Sequence, residues 1–141
     1  MFGRDRFHEK RSGAWRVARK GVTHSIDLQK SQYARRYFIN IRIDFSGAVT
    51  DAHEPIRCFL DGRIGDLLSE AERDKLDELL DMELSGITDE LREHELLRLL
   101  NESVGPVLDE VETLEGIRKR YRSGGFDEFI VSKSAANALA N

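Results

Sequence analysis

Between Val22 and Phe45 apolar and polar residues alternate in two runs separated by one short loop. In the first run Val22, His24, Ile26 and Leu28 fall on one side, with Thr23, Ser25, Asp27 and Gln29 on the other. In the second, Tyr37, Ile39, Ile41, Ile43 and Phe45 oppose Phe38, Asn40, Arg42 and Asp44. A period of two marks a strand with one buried face. Parallel strands need a long crossover, so a loop as short as Gln29-Lys30-Ser31-Gln32-Tyr33-Ala34-Arg35 implies an antiparallel hairpin. The register follows as well. Asp27 must lie opposite Asn40 or Arg42, because a slip of one residue would turn the isoleucines out to water.

The rest of the chain fits around this hairpin. Ala14 to Arg19 alternates, with Trp15 and Val17 opposing Arg16, and Lys20-Gly21 supplies a turn into Val22. Beyond a loop around Gly47 to Glu54, the run Pro55 to Leu60 reads as an edge strand opened by proline. At Ser69 the period becomes helical. Ser69 and Glu72 have the spacing of a capping box, and Leu76, Leu79, Leu80 and Leu84 then line one face as far as Ser85-Gly86. Thr88 caps a second helix, whose apolar face (Leu97, Leu100, Val104, Val107, Leu108 and Val111) keeps its phase across Gly105-Pro106. Proline there predicts a kink or two coaxial pieces. Thr113 opens a helix with Leu114, Ile117 and Tyr121 inward, and Gly124-Gly125 stops it.

Strands followed by helices define an α+β fold, an antiparallel meander of about four strands packed against a C-terminal layer of about three or four helices. The expected organisation is one domain over residues 1–141: an irregular arm at 1–12 with Phe7 as its anchor, the sheet at 13–60, the helical layer at 69–123 and a weakly packed tail at 124–141.

The net charge of −4 hides an asymmetry, cationic from Met1 to Arg36 and acidic from Asp61 to Glu115. The acidic stretch disfavours nucleic acid as a partner, although bases and rings in the first half are the mixture that single strands exploit. No apolar run approaches the roughly 20 residues that cross a bilayer, the first residues have no secretion-signal pattern, and Cys58 is alone; together these point to a cytoplasmic location.

No constellation forces a reaction mechanism. Phosphate loops, nucleophile elbows and paired histidines at zinc spacing do not occur, and the scattered His8, His24, His53 and His94 suggest neither a metal site nor a cofactor. In His24-Ser25-Asp27 the histidine projects away from the other two residues, so a catalytic triad fails on geometry. The loop Asp61-Gly62-Arg63-Ile64-Gly65-Asp66 offers two carboxylates and a guanidinium, which could line a small pocket or pair among themselves. The polar sheet face is the better candidate. Asp27, Gln29, Asn40, Arg42 and Asp44 have low strand preference, so they point to a solvated face with cross-strand pairs or to a recognition surface.

Within and around the hairpin, Ile26-Asp27-Leu28-Gln29-Lys30-Ser31, Tyr37-Phe38-Ile39-Asn40-Ile41, the upstream Trp15 and the later Thr113-Leu114-Glu115-Gly116 resemble the bacterial domain-of-unknown-function family 4304. The likeness runs from about Phe7 to about Tyr121. It implies a small bacterial cytoplasmic α+β protein with no assigned activity or catalytic residues. It also implies a helix ahead of the first strand, whereas only a short polar arm precedes Trp15 here. A sheet face left bare in that way could recruit a second copy of the chain as a homodimer.

The expectation is therefore a non-catalytic protein-binding module, immunity- or antitoxin-like, with Gln29, Lys30, Asn40, Arg42 and Arg63 as its candidate surface and a basic protein as its partner. The alternatives are a small enzyme or ligand-binding protein with a pocket near Arg63, and nucleic-acid binding through the basic N-terminal half.

Overall fold

A computed structural model describes residues 8–11, 14–19, 21–49 and 55–140. The expected anchor Phe7, residue Lys20 of the first turn and residues 50–54 of the loop expected around Gly47 to Glu54 lie outside the described residues, while the first part of that loop, up to Val49, is strand. Among the described residues six antiparallel strands follow one another across a single sheet in chain order: β1 (His8–Arg11), β2 (Ala14–Arg19), β3 (Val22–Lys30), β4 (Tyr37–Val49), β5 (Pro55–Arg63) and β6 (Ile130–Val131). The helices are α1 (Glu70–Leu80), α2 (Asp89–Leu99), α3 (Gly105–Glu110), α4 (Leu114–Arg122) and α5 (Lys133–Ala140). The α+β class and the meander stand; the sheet is wider than the pattern predicts.

Both additions lie at the edges. His8–Arg11, expected within an irregular arm, pairs with β2. At the other edge β6 pairs with β5 through Leu60 and Asp61, so Pro55–Arg63 is flanked on both sides there instead of forming the edge. The tail expected to pack weakly instead closes the core. Phe126, Phe129, Ala135 and Leu139 are buried, and the Ser132 amide donates to the Phe59 carbonyl at 3.0 Å.

The hairpin has the register its parity requires, with Asp27 opposite Asn40 and Ile26 opposite Ile41. Val22, His24 and Ile26 are buried, while Thr23, Ser25 and Asp27 between them are only partly covered. Ile41, Ile43, Phe45, Cys58 and Leu60 extend the buried side, and Leu76, Leu80, Leu108, Ile117 and Leu139 pack on it. The helices thus lie on the isoleucine face.

Ser69 and Glu72 form the capping box, and Thr88 and Thr113 cap α2 and α4 through their hydroxyls. α1 ends at Leu80, before Ser85-Gly86, because Asp81 leaves the helix to bridge Arg36; Leu84 is consequently exposed. The kink expected at Pro106 takes the form of a π-helical turn over Leu100–Val104, with the Gly105 amide bonded to the Leu100 carbonyl. Proline has no N–H and its ring crowds the carbonyl four residues back; one residue of extra winding resolves both problems.

Candidate functional site

The polar side chains of β2 to β5 share the sheet face opposite the helices, in cross-strand rows. Asp27, Asn40 and Arg63 form one row; Arg16, Ser25, Arg42 and Asp61 form the next; Thr23, Asp44 and Phe59 form a third. Asn40 Nδ2 donates to Gln29 Oε1 at 2.9 Å. Arg42 Nε donates to both Asp44 oxygens, at 3.1 and 3.2 Å.

Two arginines lie over phenylalanine rings in a reciprocal arrangement. Arg42 of β4 reaches Phe59 of β5, its Cζ 4.2 Å from the ring centroid, and Arg63 of β5 reaches back to Phe38 of β4 at 3.7 Å. Each contact joins diagonal neighbours on adjacent strands, a separation that long side chains span. Guanidinium over a ring face gains from the ring quadrupole and leaves the N–H edge free to donate.

Of the five expected site residues, Gln29, Asn40, Arg42 and Arg63 therefore share this face. Lys30 does not, since it has the parity of Leu28 and belongs to the other side of β3 at its exposed end. Of the two alternatives for the loop, a small pocket or pairing of Arg63 with Asp61 or Asp66, the pairing is not seen: Arg63 lies over the Phe38 ring, and Asp66 lies 3.9 Å from Arg73. Only the first part of the expected loop is strand, because Asp61, Gly62 and Arg63 complete β5 and Ile64–Leu67 forms a short 3-10 turn. Ser31 organises the hairpin loop. Its amide donates to the Arg36 carbonyl at 2.8 Å and its hydroxyl accepts from the Tyr33 amide at 3.2 Å.

At the end of the sheet away from that loop lies a cleft of about 490 Å³, bordered by Arg16, Ser25, Arg42, Ser46 and Arg57; Arg63 is not among its lining residues. Sequence reasoning passed over Arg57 and Phe59. Their parity with Asp61 and Arg63 in the run after Pro55 is the signal that places them on the polar face.

His24 lies on the opposite face and is 3% exposed, its Nε2 2.9 Å from the Val111 carbonyl. A carbonyl only accepts, so Nε2 carries the proton. Ser25 and Asp27 are across the sheet from it, as the alternation requires. Among the described residues no three His, Cys, Asp or Glu side chains converge as a metal site, and no helix is long and apolar enough to cross a membrane.

Residues 7–110 match the family model described as "Domain of unknown function (DUF4304)". The chain belongs to this family. The DUF4304 match covers the sheet through β5, the two acidic helices α1 and α2, and α3, and stops before α4, β6 and α5. Comparison with curated proteins and with solved structures gives no match.

Proposed function

We propose that this DUF4304 chain is a non-catalytic protein-binding module whose polar sheet face is the recognition surface. The observation that carries the reading is the reciprocal stacking of Arg42 on Phe59 and Arg63 on Phe38 on a face that no described helix covers. Arginine and aromatic residues dominate binding hot spots, and a guanidinium already held in place loses little freedom when a partner arrives. The face alternates Arg with Asp and amides, so the partner it suits is a polypeptide with carboxylates opposite the arginines, not a uniform polyanion.

A basic partner belongs to a second reading on another surface. From Glu70 to Leu99 acids far outnumber bases, and Glu70, Asp74, Asp77, Glu90 and Glu93 are exposed. An immunity- or antitoxin-like role, in which the chain masks a cationic site, would use these helices. The two readings separate in one binding assay with the partner purified alongside this chain in its native host. Arg42→Gln with Arg63→Gln weakens binding by more than about tenfold if the sheet face is the interface. Glu90→Lys with Glu93→Lys does so if the helices are. Unchanged affinity in the first pair removes the sheet-face reading.

A further inference from the structure

Past the row of Thr23, Asp44 and Phe59 the strand pairing becomes irregular. The pairing of β4 with β5 slips between Ser46 and Val49, and a bulge of this kind bends and twists the strand that carries it. The 490 Å³ cleft opens beside the slip. Four strands supply its polar lining: Arg16 and Arg42 flank Ser25 across β2, β3 and β4, and Arg57 stands opposite Ser46 on β5 and β4.

The charges there are unbalanced. Among the described residues Asp44 is the one carboxylate that lines the cleft, and it is bonded to Arg42. Neither Arg16 nor Arg57 has an ion pair among the described residues. Cations gathered round one concavity repel each other unless an anion joins them, and here they gather in a chain whose net charge is −4.

We propose that this cleft binds a phosphate-bearing small molecule, its phosphoryl oxygens accepting from the Arg16 and Arg57 guanidinium groups. Three guanidinium groups and several hydroxyls offer more donors than a single carboxylate can accept, whereas a phosphate monoester brings three terminal oxygens and a charge of about −1.5 to −2 at neutral pH. The volume exceeds what a bare ion needs and lies in the range of about 300–1,000 Å³ typical of small-molecule sites, leaving room for the group that carries the phosphate. The site does not depend on the protein-binding reading.

The test is an NMR titration of the isotope-labelled full chain with inorganic phosphate and pyrophosphate, with chloride and acetate at matched ionic strength as controls. The expected result is saturable movement of the Thr23, Ser25 and Ser46 amides with both phosphates and with neither control. The variant Arg16→Gln/Arg57→Gln should weaken this by about tenfold or more, as the loss of charge-assisted hydrogen bonds requires. Both side chains are exposed, so the variant keeps its fold, checked by an unchanged spectrum elsewhere; Arg98→Gln on α2 should titrate like the parent. Equal movement with chloride or acetate, or an unaltered titration in the double variant, overturns the proposal.

Discussion

Gly62 shows how one residue can hold two elements together. A Cβ built there would stand 2.8 Å from the Phe129 ring, so the ring lies directly on the backbone of β5. Phe129 in turn meets Phe126 edge to face, with centroids 5.2 Å apart. Gly62→Ala should therefore destabilise the chain by about 1–3 kcal/mol through overpacking, read as a shift in denaturant midpoint; a neutral result would mean that the ring does not sit there. Glu72 supplies a pH dependence. Hydrogen bonds from the Ser103 side chain, then from the Ser69 hydroxyl and amide, hold its carboxyl below the usual carboxylate range. A depressed folded value means that its contribution is complete above the unfolded pKa of about 4.3 and fades as the pH falls through the folded value. Glu72→Gln should accordingly be less stable than the parent near neutrality, and the gap should close in acid. A gap constant with pH would remove the carboxylate from the account.

Among the elements, α1 and α2 are joined by a buried arginine. Arg92 Nη1 donates to the Leu79 carbonyl at 2.6 Å and to the Asp81 carbonyl at 3.1 Å, placing a cation at the end of α1 where carbonyls lack helical partners. Arg92→Ala should cost about 2–3 kcal/mol in chemical unfolding, since it leaves those buried acceptors unpaired. The C-terminal elements should matter more still. Ending the chain after Gly125 removes Phe126, Phe129, Ala135 and Leu139 from the core. Each large apolar side chain contributes about 1.5–3 kcal/mol, against a typical total stability of about 5–15 kcal/mol, so the shortened chain should show no cooperative unfolding transition. A sharp transition would show the last elements to be dispensable. The sequence announced the hairpin, its register and three helix caps because a period of two and Ser/Thr at a helix start are local signals. It concealed how tightly the last segment packs, because Ser132-Lys133-Ser134-Ala135-Ala136-Asn137 has little apolar area; Ala135 and Leu139 are nonetheless fully buried, which no periodicity reports. The shared polar face was legible by the same parity for Gln29, Asn40 and Arg42. Lys30 fell on the wrong side of that parity, and the cleft was hidden because it depends on a bulge.

At the scale of the molecule, every described helix comes after the main strands and packs on their isoleucine side, so the sheet has one buried apolar face and one polar face, the second being the proposed recognition surface. The division predicts a sharp difference between adjacent residues of β4. Ile41 is fully buried between β3 and β5 under the helices, whereas Asn40, one position earlier, points the other way and bonds Gln29. Ile41→Ala removes buried methyl groups and leaves a cavity that the layers cannot close, a loss of about 2–5 kcal/mol. Asn40→Ala breaks one exposed amide contact and should cost about 1 kcal/mol or less. Binding should respond in the opposite order, with Asn40→Ala lowering affinity for a sheet-face partner while the folded fraction stays unchanged. Denaturant midpoints for the two variants decide the matter. If Asn40→Ala were as costly as Ile41→Ala, the polar face would be packed against protein in the free chain, and a partner would have no bare sheet on which to dock.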